Sequence, residues 1–175
     1  EYIMLPQSNP IVGSYDGALG AQRALVTKPS DFPFGWKVVS TKLSGKKFAD
    51  ASPIFWKGRW YIWITSILHG PTRYFLELYT CESKDLARSR WVEHPASPIT
   101  TNMTIARMGG RPIITDDGLL LRPAQDCSKA YGRQVLWVHV EKLSPTEYKE
   151  SVRSDFPAVT SLWPPPEDST SPYSK

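Results

Sequence analysis

Polar side chains that could do chemistry cluster in the stretch from Leu119 to Arg133, LLLRPAQDCSKAYGR. Arg122, Gln125 and Asp126 follow directly on three leucines, and such groups cost free energy to bury unless they are paired or bind a ligand. An arginine donates two parallel hydrogen bonds to a phosphate or to neighbouring hydroxyls. The stretch is therefore either a ligand site or a structural polar contact, in which Asp126 caps the next turn and Arg122 pairs with a carboxylate.

A second acid, Asp50, stands in FADASPIF at the entry of another predicted strand. Hydrolysis of a glycosidic bond needs two carboxylates about 5 to 9.5 Å apart, one as general acid and one as base or nucleophile. Glutamates offer no better acid, because Glu77 sits mid-strand, Glu82 lies near a turn and Glu93 precedes a strand-closing His-Pro.

Histidine and cysteine spacing argues against a metal site or a bound cofactor. His69, His94 and His139 lack the i, i+2 or i, i+4 spacing that local metal ligation prefers. Cys81 and Cys127 are the only cysteines, which rules out a disulfide framework and a four-cysteine zinc site. Each is either a buried free thiol or one half of a single disulfide.

Composition describes an ordinary globular chain with a modest positive charge. The net charge is +4, but the 21 Lys and Arg residues are spread along the chain, so nucleic acid is not an expected partner. No run approaches the roughly 18 consecutive apolar residues of a membrane helix, and the start EYIMLPQSNP lacks the features of a signal peptide. Asn102, in Asn102-Met103-Thr104, is a candidate glycosylation site if the chain enters the secretory pathway.

Short alternating strands recur in two groups of four. In the range Ser52–Pro95, SPIFW and RWYIWIT flank a Lys57-Gly58 hairpin turn, and YFLELYTC and RWVEHP follow. In the range Thr104–Arg153, TIARMGGRPIIT, LLLRPAQDC, QVLWVHVEKL and EYKESVR repeat the pattern around a turn at Asp117-Gly118. This recurrence predicts an all-β fold of β-propeller blades, each a four-stranded antiparallel meander, and favours it over a β-sandwich.

The expected organisation is a Pro/Gly-rich N-terminal segment at 1–35, propeller blades at 36–160 and a disordered Pro/Ser-rich tail at 161–175. With about 45 residues per blade, 175 residues hold three to four blades, a partial or fragmentary five-bladed propeller. Because a truncated propeller leaves an unpaired strand edge, we expect self-association or shielding of that edge by the N-terminal segment.

Three blocks carry a resemblance to a known family: ASPIFWKGRWYIWIT, WVEHPASPI and ARMGGRPIITDDGLLLRPAQDCSKAYGRQVLWVHVEKLSPTEYKE. The chain resembles, over about residues 50–152, the N-terminal propeller-like domain of glucosamine inositolphosphorylceramide transferases and related proteins. The first two blocks also look like pieces of five-bladed propeller glycosidases, which usually carry an acid at the position of Asp50. This resemblance implies Asp50 and Asp126 as the candidate catalytic pair. The resemblance implies a carbohydrate-related module that accompanies a separate glycosyltransferase domain, in the secretory pathway (Golgi lumen) or outside the cell.

The leading interpretation is a module that binds a glycan or a glycolipid head group. A glycosidase that uses Asp50 and Asp126, and an interaction scaffold without a glycan ligand, stay open as alternatives. We expect five residues to converge at one end of the channel side: Asp50, Arg111, Arg122, Gln125 and Asp126. The predicted ligand-binding residues are Arg111, Arg122, Gln125, Asp126, Tyr131 and Arg133.

Overall fold

The computed structural model describes residues 1–7, 20–68, 73–156 and 159–160, and they form three antiparallel β-sheets. Within these ranges there is no α-helix, and a single 3-10 turn occurs at Pro29–Asp31. The all-β prediction is confirmed. None of the described elements is a helix long and apolar enough to cross a membrane.

The first sheet contains β1 (Tyr2–Met4), β2 (Ala21–Thr27) and β3 (Lys37–Ser44), in the spatial order β1-β2-β3. Two of these strands lie within residues 1–35, where the sequence shows only weak strand signals. The register between β2 and β3 shifts twice, which explains why neither strand displays a clean alternation of apolar and polar residues.

The second sheet contains β4 (Lys47–Trp56), β5 (Arg59–Leu68), β6 (Arg73–Cys81) and β7 (Val92–Glu93), paired in chain order. Lys57-Gly58 forms the turn between β4 and β5, and both residues have positive φ, 48° and 84°. Two positive φ values match the twist of a two-residue hairpin. The predicted meander and its turn are confirmed.

The third sheet contains β8 (Ile113–Ile114), β9 (Leu120–Asp126), β10 (Gln134–Leu143) and β11 (Tyr148–Val152), again in chain order, while β12 (Val159–Thr160) pairs with β10. The second predicted meander is confirmed, with Gly118 in the turn before β9. Its first strand is much shorter than TIARMGGRPIIT suggests, since Gly110 has a φ of +151° and Pro112 has no N–H to donate to a ladder. Residues before β8 still run beside β9, because the Gly109 N–H donates to the Pro123 carbonyl at 2.9 Å.

Two apolar layers hold the three sheets together, one on each face of the second sheet. Successive side chains of β5 point to opposite faces of the sheet. Trp63 therefore belongs to one layer, and Ile62 and Ile64 belong to the other. Trp63 packs with side chains of the third sheet, including Leu120 and Val140. The opposite layer contacts the first sheet.

The sheets do not close into a ring within the described residues, so the propeller arrangement stays a prediction. Cys81 and Cys127 are both free thiols, and they belong to different apolar layers. Burial raises the pKa of the Cys127 thiol. The tail at 161–175 and His69 lie outside the described residues.

Candidate functional site

A cavity of about 920 Å³ opens where the three sheets approach one another. Its wall takes residues from β1, from the middle of β4, from the segment before β8 and from the facing ends of β9 and β10. Ile3 and Leu5 give the wall an apolar side. Asp50, Arg111 and Gln125 contribute polar side chains. Concave sites with an apolar wall and a few convergent polar groups are typical of ligand binding.

Asp50 reaches the cavity from an irregular point of β4. The β4–β5 register shifts between Ala49 and Ser52, and Asp50 adopts a positive φ of 56°, which few residues other than Gly, Asn and Asp tolerate. Its carboxylate is 26% exposed, and Oδ2 accepts a 2.7 Å hydrogen bond from Arg107 Nε. Oδ1 accepts no hydrogen bond from any residue in the described ranges.

Arg107 holds Asp50 in place, and the sequence analysis did not identify it. The residue is 7% exposed, and its guanidinium carbon lies 5.4 Å from the ring centroid of Tyr74 and 4.8 Å from that of Tyr131. Burial alone would lower the pKa of Arg107, but the hydrogen bond and the charge of Asp50 outweigh it and raise the pKa. Asp50 and Arg107 are 57 positions apart, so no local spacing could have revealed the pair.

Arg111 and Gln125 face the same cavity with free polar groups. Arg111 is exposed, and its guanidinium forms no ion pair or hydrogen bond with the part of the chain that the structure describes. Gln125 is half-buried and uses its backbone N–H to bond the Arg107 carbonyl at 2.8 Å, while its side-chain amide has no described partner. A Cβ on Gly109 would lie 3.3 Å from the backbone nitrogen of Gln125. Glycine therefore permits the segment before β8 to approach β9 closely.

Asp126 lies next to the cavity but is not part of its wall. It is 1% exposed, and its carboxylate accepts hydrogen bonds from the Ser128 N–H at 2.9 Å, Gln134 Nε2 at 2.7 Å and Arg133 Nη1 at 3.2 Å. Burial alone would raise the pKa of Asp126, but the hydrogen bonds from Ser128 and Gln134 and the charge of Arg133 outweigh it and lower the pKa. This geometry fits the turn-capping alternative.

Arg122 is fully buried between the second and third sheets. Its guanidinium forms two 2.6 Å hydrogen bonds with the Glu150 carboxylate and a third, at 3.1 Å, with the Ile105 carbonyl. The Tyr148 hydroxyl also donates to Glu150, and Trp63 Nε1 of the second sheet donates to that hydroxyl at 3.2 Å. We call these side chains, Trp63, Arg122, Tyr148 and Glu150, the polar clasp.

Of the five residues expected to converge, the structure brings three to one cavity: Asp50, Arg111 and Gln125. Arg122 and Asp126 bond to other protein groups instead. Tyr131 is 68% exposed and directly precedes Gly132, which lines the cavity.

Asn102, the candidate glycosylation site, is exposed in the loop between β7 and β8. Its side-chain oxygen accepts a hydrogen bond from the Thr104 N–H at 3.1 Å. The side chain is accessible, and its use as a glycan acceptor stays a prediction.

Glu77, the mid-strand glutamate, is buried at 3% exposure and bonds to Tyr79, a member of the apolar layer facing the first sheet. Its carboxylate accepts hydrogen bonds from the Ser66 and Tyr79 hydroxyls, each at 2.8 Å, and from Lys46 Nζ. It does not line the cavity. Asp50 is therefore the single carboxylate in the described wall, one fewer than glycoside hydrolysis requires.

The wall thus presents a carboxylate oxygen, an amide and a guanidinium to a cavity whose remaining lining is partly apolar. This set can accept hydrogen bonds from hydroxyls and donate them to an anion. No group of three or more His, Cys, Asp or Glu side chains in the described ranges is placed to hold a metal ion.

Comparison with known proteins identifies a family and individual proteins to which this chain is similar. Residues 13–160 match the family described as "Glucosamine inositolphosphorylceramide transferase 1, N-terminal". A protein named glucosamine inositolphosphorylceramide transferase 1 from Oryza sativa subsp. japonica is 35% identical over 127 residues, which is 70% of this chain. The protein of the same name from Arabidopsis thaliana is 31% identical over 154 residues, or 86% of this chain.

The matched region is a small part of those relatives. It covers 16% of the Oryza sativa protein and 18% of the Arabidopsis thaliana protein. No solved structure matches this chain.

Proposed function

Because this chain belongs to the glucosamine inositolphosphorylceramide transferase 1 N-terminal family, we propose that its cavity binds the polar head group of an inositolphosphorylceramide-type glycolipid. The chain is then a recognition module, and the sugar transfer named in its relatives takes place in the larger part of those proteins that this chain does not span. A glycosyltransferase domain is the expected partner.

One observation carries the proposal: Asp50, Gln125 and Arg111 line a single cavity with polar groups that no described residue satisfies. The charge of Asp50 is balanced by Arg107 at 2.7 Å. Among the described residues of this wall, Arg111 therefore carries the uncompensated charge, and it favours an anion. A phosphate suits its planar fork of donors, while ring hydroxyls suit Asp50 Oδ1 and the Gln125 amide.

The proposal includes the architecture. The three sheets are successive blades of a propeller, and the cavity is the start of its channel. Two features support this. Consecutive sheets share apolar layers. The cavity wall also takes residues from the first strand or extended segment of each sheet in chain order, namely β1, β4 and the segment before β8.

We also propose a location in the secretory pathway, where a module that works beside a transferase of this lipid would act. The exposed side chain of Asn102 offers a test. A glycosidase-sensitive mass at Asn102 in protein from its native source would support that location, whereas an unmodified Asn102 would leave the location without this support.

The test of ligand binding is calorimetric titration with myo-inositol 1-phosphate, with myo-inositol and inorganic phosphate as partial ligands. Arg111→Ala should weaken binding of the phosphorylated ligand by about tenfold or more, since a hydrogen bond to a charged group contributes about 1.5–3 kcal/mol. Arg90→Ala is the matched control, because Arg90 is also exposed but precedes β7, at the opposite edge of the second sheet from β4.

Two results would overturn the proposal. One is the absence of binding at millimolar inositol phosphate, and the other is an Arg111→Ala protein that binds as well as the Arg90→Ala control. A panel of chromogenic glycosides, assayed in parallel, tests the hydrolase alternative. Turnover that Asp50→Asn abolishes would replace the binding module with a glycosidase.

A further inference from the structure

Tyr131 is an exposed aromatic residue whose ring is nevertheless held in place. It lies in the turn between β9 and β10 and is 68% exposed. The guanidinium carbon of Arg107 lies 4.8 Å from its ring centroid. Arg107 is fixed in turn by Asp50 on β4 and by the ring of Tyr74 on β6. The Tyr131 ring therefore rests on a chain of contacts that reaches into the second sheet.

This arrangement reduces the entropy cost of using Tyr131 for binding. An exposed tyrosine in a turn ordinarily loses side-chain freedom when a ligand orders it, and this loss weakens binding. The cation–π contact with Arg107 already restricts the ring, while most of its surface stays accessible. A tyrosine ring with an open surface is suited to packing against the apolar C–H groups of a sugar ring.

The position of Tyr131 ties it to the cavity. The next residue, Gly132, lines the cavity wall and has a φ of +70°. Asp50, which Arg107 links to Tyr131, lines the same wall. A ligand that fills the cavity and extends past Asp50 would therefore meet the Tyr131 ring.

We propose that Tyr131 is a stacking subsite for a hexopyranose ring at the mouth of the cavity. The preferred ligand is then an inositol phosphate that already carries a sugar. Its phosphate and inositol occupy the cavity, and its pyranose lies on Tyr131. This preference rests on the proposed head-group function, whereas the stacking subsite itself can be tested separately.

The first experiment compares myo-inositol 1-phosphate with the same compound carrying one hexopyranose on its inositol ring. The wild-type chain should bind the glycosylated compound about threefold to tenfold more tightly, in line with the contribution of aromatic packing. Tyr131→Ala should remove this gain but keep the affinity for the unglycosylated compound, whereas Tyr131→Phe should keep the gain. Tyr2→Ala, which alters a tyrosine that is 50% exposed, is the matched control.

The inference is overturned if the wild-type chain shows no gain, or if the gain persists in Tyr131→Ala. If neither inositol phosphate binds, the head-group proposal fails, and saturation-transfer NMR with a methyl hexopyranoside then decides the role of Tyr131. Transfer that is lost in Tyr131→Ala and kept in Tyr131→Phe supports the subsite. Transfer that is equal in all three proteins, or absent from the wild type, overturns it.

Discussion

Replacing Arg122 by methionine should destabilise the fold strongly, because it leaves the Glu150 carboxylate of the polar clasp without its cation. The side chain of Arg122 is 0% exposed and that of Glu150 is 10% exposed. Two hydrogen bonds of 2.6 Å join them, and charge-assisted bonds contribute about 1.5–3 kcal/mol each. The sum, about 3–6 kcal/mol, agrees with the roughly 3–5 kcal/mol measured when one partner of a buried ion pair is removed.

Urea and thermal unfolding measure this loss directly. At about 2–4 °C per kcal/mol for a chain of this size, Arg122→Met should lower the melting temperature by roughly 6–20 °C. Tryptophan fluorescence is a suitable signal, because Trp63 is fully buried and donates a hydrogen bond to Tyr148 within the clasp.

A double substitution distinguishes the ion pair from simple loss of packing. Arg122→Met combined with Glu150→Leu should recover much of the stability, since apolar replacement of both partners of a buried pair is often neutral or stabilising. Arg153→Ala, which removes an ion pair with the exposed Asp155, should lower the melting temperature far less than Arg122→Met does, because solvent screens such a surface pair. A loss below about 1 kcal/mol for Arg122→Met, together with loss of ligand binding, would show that Arg122 contacts ligand and would refute its role as a clasp.

Three further substitutions test other parts of the structure. Asp126→Asn should reduce stability at neutral pH and progressively less as the pH falls below 3.8, because a lowered folded-state pKa gives stability that is present above that ordinary value and is lost as the pH falls through the folded-state pKa; a loss that does not change with pH would contradict this. His94→Ala should cost about 2–4 kcal/mol in urea unfolding, since its buried ring bonds the Ser144 carbonyl at 2.8 Å and accepts from the Ala96 N–H; a loss below about 1 kcal/mol would show that this link contributes little. Gly118→Ala should cost about 1–2 kcal/mol, because φ is +84° and an L residue is strained in this left-handed conformation. The added Cβ meets no atom within 4 Å, so no steric clash adds to that cost. An unchanged melting temperature would contradict the left-handed turn.

The strands of the second and third sheets could be predicted because their signals are local. Lys57-Gly58 marks a hairpin by composition alone, and the alternation around Trp63 identifies two buried faces. β8 is shorter than the apolar pattern of TIARMGGRPIIT predicts, because the glycines and the proline within it interrupt the strand. The strand signals of β1 and β2 are weak because β1 has only three residues and the register between β2 and β3 shifts twice.

The candidate site was less predictable, since its contacts are long-range. Asp50 and Arg107 meet across 57 positions, and Arg122 and Glu150 across 28. Sequence can show that a buried polar group needs a partner, but it does not show whether that partner is protein or ligand. Asp50, Arg111 and Gln125 are expected to share a site, and the structure places all three in the wall of one cavity. Arg122 is expected to join them, but its guanidinium pairs with the Glu150 carboxylate instead.

The central claim, that an inositol phosphate binds in this cavity, is tested most directly by NMR. Backbone amides of isotope-labelled protein are followed during titration with myo-inositol 1-phosphate. Shifts should concentrate at Gly109, Gly110, Arg111 and Gln125 and should disappear in Arg111→Ala. Amides near Arg90 should not move. Saturable shifts confined to another surface, or no saturable shift at millimolar ligand, would contradict the assignment of this cavity as a head-group site.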